Sequence, residues 1–189
     1  MKLPQLPIPR LDLKPDRYER RINRAPSPVF TFAGPWISVV LGSLLPGWLI
    51  IASAPIVPPL GFLILLAWRQ VRPGILPIWS GVVLGGFDDL ISGQPFGSAI
   101  LLWCIAMLGL EALELRVPWR NFFTEWLVAS GLITAYVLLS GLFANAAGGA
   151  SDLWILTPQI VLSVLIYPMI ARMIAWMDRV RLLRFSVIG

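Results

Sequence analysis

The chain has 189 residues, 57% of them hydrophobic and 13% charged, about half the charge an ordinary soluble domain carries, and its mean hydropathy is +0.78. It contains no histidine and a single cysteine, Cys104, which excludes histidine-based acid–base chemistry, Ser-His-Asp or Cys-His nucleophiles, an internal disulfide and a cysteine metal centre. The expectation is an all-α integral membrane protein. At about 20 apolar residues per span, its length holds roughly six transmembrane helices and no large soluble domain.

The first element is a basic, proline-rich tail over residues 1–30. Lys2, Arg10, Lys14, Arg17, Arg20, Arg21 and Arg24 face Asp12, Asp16 and Glu19 there. Such a segment gains on the order of 1 kcal/mol per Lys or Arg held near an anionic leaflet, so anionic lipid headgroups are its expected partner. The high pI, about 10.1, follows from this topology and does not call for nucleic acid. Arg24 and Arg69 are then separated by about 44 residues without an ionisable group, roughly two spans' worth. The dense prolines from Pro55 to Pro59 break that stretch, giving spans at about 32–52 and 57–68. Arg72-Pro73-Gly74 makes a turn before a third span at 75–90, and Ser92-Gly93-Gln94-Pro95 turns the chain into a fourth at 96–110. Glu111, Glu114, Arg116, Pro118, Trp119 and Arg120 read as a connection at headgroup depth. Spans at 122–145 and 153–176 follow, separated by a Gly/Ala-rich loop, and 179–189 forms a basic C-terminal end that slides into the interface. The expected transmembrane domain is thus 31–178.

Basic residues set the orientation. With six spans, all fifteen Lys and Arg fall in the tail, the second-to-third and fourth-to-fifth connections and the C-terminal stretch from Arg172 onwards, and the connections on the opposite side carry none. Both termini are therefore expected to be cytoplasmic.

One polar pair stands out against this charge-poor background. An aspartate costs on the order of 2.5 to 3.5 kcal/mol at the centre of a membrane helix, less towards the interface, so Asp88 and Asp89 require a reason. Gly81, Gly85, Asp88 or Asp89, and Ser92 recur at steps of three and four and form one stripe on a helix. Glycines so spaced admit a neighbouring helix at close range, and Gly86 widens the contact. Adjacent carboxylates point about 100° apart, so one is expected to face the bundle while the other accepts N–H groups from the turn between Ser92 and Gly97. The readings open for the pair are a span terminus at the headgroups, a structural or partner-binding lock, and an ion or substrate site. Other polar groups form weaker stripes: Ser130, Thr134 and Gly141 on the fifth span, and Gln159, Ser163 and Tyr167 on the sixth. Both are expected to bond between helices, with a transport path as the alternative reading. Glu125 suits the fifth helix's N-terminal dipole, Cys104 behaves as a small hydrophobe, and Trp68, Trp119, Trp154 and Trp176 are placed as an aromatic belt.

The run Gly85-Gly86-Phe87-Asp88-Asp89-Leu90-Ile91-Ser92-Gly93-Gln94-Pro95-Phe96-Gly97 resembles the signature region of the rod shape-determining protein MreD family, in which a glycine-containing helix reaches Asp-Leu, then Ser-Gly, then a further glycine. Gly85, Asp89, Leu90, Ser92, Gly93 and Gly97 carry the match, and Leu63 to Trp68 before Arg72-Pro73 looks similar too. The resemblance covers about residues 59–109 by motif and the rest by architecture; the long basic tail departs from the shortest members. It implies a non-catalytic component of the bacterial inner membrane, without cofactors or metal. Such a protein scaffolds sidewall peptidoglycan synthesis with MreC, the actin-like MreB, the polymerase RodA and its transpeptidase. In that case Gly81, Gly85, Asp88, Asp89, Ser92, Gly93 and Gly97 are the partner-binding or structural residues. The family is also similar in fold to the membrane substrate-binding subunits of energy-coupling-factor vitamin transporters, which makes a small-molecule binding subunit the alternative.

Overall fold

The computed structural model describes residues 28–49, 57–116, 121–149 and 152–182. The basic tail up to residue 27, the reversal at Ala54-Pro55, the connection from Pro118 to Arg120 and the last seven residues lie outside the described residues. Those described form an all-helical molecule with α1 (Pro28–Leu49), α2 (Leu60–Val71), α3 (Ser80–Ser92), α4 (Ser98–Arg116), α5 (Phe122–Ala146), a 3-10 turn (Leu153–Leu156) and α6 (Thr157–Leu182). Three segments, Ser98–Arg116, Phe122–Ala146 and Leu153–Val180, are long and apolar enough to cross a membrane. With 12 and 13 residues, α2 and α3 rise only about 18–20 Å against a hydrocarbon core of about 30 Å.

The helices form a ring with an axle. Around the outside α1 packs on α3, α3 on α4, α4 on α5, α5 on α6 and α6 back on α1, while α2 touches α1, α6, α4 and α5. The sequence of α2, Leu-Gly-Phe-Leu-Ile-Leu-Leu-Ala-Trp, has no polar face, as an enclosed helix requires, and every residue from Gly61 to Gln70 is buried. Phe62, Leu63, Leu65, Leu66 and Trp68 form the centre of the core with Trp103, Met107, Ile133, Tyr136, Tyr167 and Ile174 from the ring. Where α1 crosses α2 the backbones meet at glycines: a Cβ on Gly42 would lie 3.2 Å from the Gly61 backbone, and one on Gly61 would strike Ser43. Pro168 lies inside α6, where it withholds the N–H that would bond the carbonyl four residues back. The Trp126 indole of α5 donates to that carbonyl, on Val164, at 3.2 Å.

Several expected boundaries shift for physical reasons. The third helix begins at Ser80 rather than Ile75, because Pro77 disfavours helical backbone at Leu76 and the Pro77 carbonyl instead caps the Ser80 N–H at 2.9 Å. The fourth does not stop at Leu110. It runs on to Arg116, since Glu111 and Glu114, three apart on one helical face, both reach Arg69 of α2, at 3.6 and 3.1 Å. Arg69 itself is a correction: read as a loop residue, it is a buried member of α2, 5% exposed. Trp68, assigned to an interfacial belt, is also buried, at 1%, and donates to Ser38 Oγ at 2.7 Å. Trp154 and Trp176 are exposed, at 83% and 62%. The sixth helix continues through Leu182, past the expected limit at Trp176.

Candidate functional site

The connection between α3 and α4 is built around Asp89. Helix α3 ends at Gly93, whose φ of +68° is the left-handed cap conformation that glycine adopts without a Cβ penalty; Gly97 has φ +98°. The chain reverses through Gln94-Pro95 and α4 starts at Ser98 with orphan N–H groups, as any helix does. Asp89 collects them. Its carboxylate accepts the N–H of Gly97 at 2.9 Å, of Ala99 at 2.8 Å and of Ile100 at 3.2 Å, and the Ser98 hydroxyl at 3.3 Å. A negative group at this position also complements the helix dipole. Asp89 is therefore an N-cap supplied by the preceding helix, in a residue only 4% exposed.

The glycine stripe serves the same hairpin. A Cβ on Gly81 would sit 3.2 Å from the Trp103 and Cys104 backbone, and one on Gly85 would sit 2.9 Å from the Ala99 carbonyl oxygen and the Ile100 Cα. Both therefore mark close approach of α4. Gly86 is looser, 3.6 Å from the end of the Ile100 side chain. The face formed by Gly81 and Gly85 is occupied from within the chain, so it is not a vacant groove for a partner helix. Ser92 and Gly93 are exposed at the tip of the hairpin.

Asp88, one residue earlier, points elsewhere. It is 9% exposed and faces the hydroxyls of Ser43 on α1 and Tyr136 on α5. Tyr136 stacks on Phe62 of α2, with centroids 4.2 Å apart, and Phe62 also meets Trp103 of α4 at 5.9 Å. The Trp103 indole is directed at the Tyr136 hydroxyl. Neither Ser43 Oγ nor Trp103 Nε1 closes a direct hydrogen bond, though both are buried. Among the described residues, the groups acting on Asp88 are two hydroxyls and a second carboxylate, Asp89, and no lysine or arginine. One carboxylate is thus bonded by backbone donors and its neighbour lies in a polar cluster to which four helices contribute.

A second polar cluster lies at the other end of α2. Trp68, Arg69 and Gln70 are consecutive, so their side chains leave the helix about 100° apart, and each is fixed by different ring helices. Trp68 bonds Ser38 of α1, whose hydroxyl donates to the Pro35 carbonyl at 2.8 Å. Arg69 pairs with Glu111 and Glu114 of α4. Gln70 donates to the Glu125 carbonyl of α5 at 3.1 Å and accepts from the Tyr167 hydroxyl of α6 at 2.7 Å. Arg72 meets Asp178 of α6 at 3.4 Å just beyond. These residues were hidden in the sequence by the charge count, which placed Arg69 and Arg72 together in a loop.

The stripes on α5 and α6 behave differently from expectation. Ser130, Thr134 and Ser163 donate to carbonyls four residues back in their own helices, at 2.7, 2.8 and 2.6 Å, so they do not link helices. Gln159 does reach across, to the Val57 carbonyl at 2.7 Å, as does Tyr167 to Gln70. Gly141 lies under Leu156 of the 3-10 turn. The Glu125 N–H bonds the Asn121 carbonyl at the start of α5, and Cys104 is half-buried. Among the described residues no group of three Cys, Asp or Glu is arranged to hold a metal ion.

Compared with protein-family models, with curated proteins and with solved structures, the chain gives no significant match.

Proposed function

We propose that the chain is a six-span protein of the bacterial inner membrane with both termini cytoplasmic, acting as a non-catalytic scaffold of the rod-elongation machinery. Its partner is MreC and, through MreC or directly, MreB, RodA and a transpeptidase. The observation that carries this reading is the closed geometry of the Gly85–Gly97 run, the segment that resembles the MreD signature. Asp89 caps α4 and Gly81 and Gly85 seat it, so the run builds a stiff hairpin. The outer face of that hairpin, with Val82, Val83 and Leu90, is apolar and exposed, which suits contact with lipid or a transmembrane partner. The test is co-purification of the tagged full chain with MreC from mildly solubilised membranes, alongside depletion in cells. Retention of MreC together with loss of rod shape on depletion is the expected result. An intact shape on depletion, with no MreC retained, overturns the proposal.

The alternative, a substrate-binding membrane subunit for a vitamin-type molecule, draws on one observation, the convergence of Phe62, Trp103 and Tyr136 beside Asp88. A ligand at about 100 times its dissociation constant adds roughly 2.7 kcal/mol of stability. A thermal-shift screen of vitamins on the purified chain tests it, and a flat panel removes it.

A further inference from the structure

Buried ionisable groups in proteins are paired with an opposite charge, bound to a cation or neutralised by a proton, and Arg69 and Asp88, both buried, differ in that respect. Arg69 has Glu111 and Glu114. Among the described residues no cationic side chain acts on Asp88. Its neighbours on every helix packed around it are accounted for: Asp89 on α3, already engaged by four donors, Tyr136 on α5, Ser43 on α1, and the neutral Trp103 on α4 and Phe62 on α2. Asp89 adds a second negative charge close by, which makes the local field more attractive to a cation. Ser43 Oγ is 92% buried by its residue, unpartnered, and turned towards the Asp88 carboxylate. A serine oxygen that closes no hydrogen bond still has lone pairs to offer.

We propose that the Asp88 carboxylate, with the hydroxyl oxygens of Ser43 and Tyr136, binds a small hard monovalent cation, sodium, between α1, α3 and α5. The donor set is all oxygen, which suits a hard cation, and its single carboxylate free of backbone donors balances one positive charge. The Trp103 N–H, a donor only, is directed at the Tyr136 oxygen and does not compete for the ion, while the Tyr136 ring is held by its stack on Phe62. Asp88 lies in the last turn of α3, beside the exposed hairpin tip at Ser92 and Gly93, so the ion reaches it from the side opposite the Arg69 cluster. This site is independent of the scaffold reading: the proposed rod-complex role can fail while the ion binds, and the converse.

The experiment is thermal unfolding of the purified full chain in detergent, followed by tryptophan fluorescence, with sodium chloride titrated against choline chloride at constant ionic strength and pH, and a parallel potassium series. The expected result is a Tm that rises and saturates with sodium, a response to potassium at least tenfold weaker, and no sodium response in Asp88→Asn. Ser43→Ala and Tyr136→Phe each remove one oxygen and keep the packing; each is expected to raise the half-saturating sodium concentration about tenfold, so the proposal stays testable should Asp88→Asn fail to fold. A Tm indifferent to sodium, an equal rise in all three chlorides, or a sodium response unaltered in Ser43→Ala and Tyr136→Phe overturns it. So does a Tm that follows pH and ignores sodium, which would make a proton the neutralising cation.

Discussion

Asp88 and Asp89 are chemically identical neighbours whose surroundings give them opposite duties. Asp89 is bonded to three backbone N–H groups and a hydroxyl, and hydrogen bonds to a charged group contribute about 1.5–3 kcal/mol each without adding fully. Asp89→Ala is therefore expected to cost about 3 kcal/mol, and Asp89→Asn, which keeps one acceptor oxygen, about half of that; equilibrium unfolding in mixed detergent micelles measures both. Arg69 offers a second comparison. Removing one partner of a buried ion pair costs about 3–5 kcal/mol, but Glu111 is 40% exposed and water relieves part of that loss. Arg69→Ala is expected to cost about 2–3 kcal/mol in the same unfolding measurement, and a further Glu114→Gln change is expected to recover part of it. An unchanged midpoint in Arg69→Ala would show that the cluster contributes nothing.

Among the helices, the α3–α4 hairpin depends on how closely its backbones approach. A methyl at Gly85 meets backbone atoms at 2.9 Å, and overpacking of that kind costs about 1–3 kcal/mol. At Gly86 the neighbour is a flexible isoleucine end at 3.6 Å, so an added methyl there brings only the gain of alanine over glycine in a helix, up to about 1 kcal/mol. Gly85→Ala is expected to lower the melting temperature and Gly86→Ala to hold or raise it; the reverse order would contradict the packing. This hairpin was legible in the sequence because glycine spacing and an aspartate pair are local signals. Six helices near the expected places were legible too, since gaps between charges mark apolar runs. The end of α2 was not. Arg69 looks like a loop charge until Glu111 and Glu114, more than 40 positions later, are folded against it, and Gln70 gains its meaning only from Tyr167. The Asp88 cluster was half legible: the carboxylate was conspicuous, while Ser43 and Tyr136 lay unmarked in apolar runs.

At the scale of the molecule, the proposed orientation places the α3–α4 tip and the α5–α6 loop on the side away from the basic residues. In a Cys104→Ala background, Asp152→Cys is expected to react with a membrane-impermeant thiol reagent in intact cells, and Pro73→Cys only after permeabilisation. Both positions are exposed, and the opposite pattern of labelling would invert the topology. The enclosed position of α2 also bears on biogenesis. A ribosome delivers α2 before α4, α5 and α6 exist, so the helix that ends at the centre is among the first to be made. Until α4 is synthesised Arg69 has neither glutamate, and until α6 follows Gln70 lacks Tyr167. A nascent chain stopped after α3 therefore carries Arg69 without its two glutamates and an uncovered axle. Closure of the ring around α2 is then the step that supplies these partners and completes the fold.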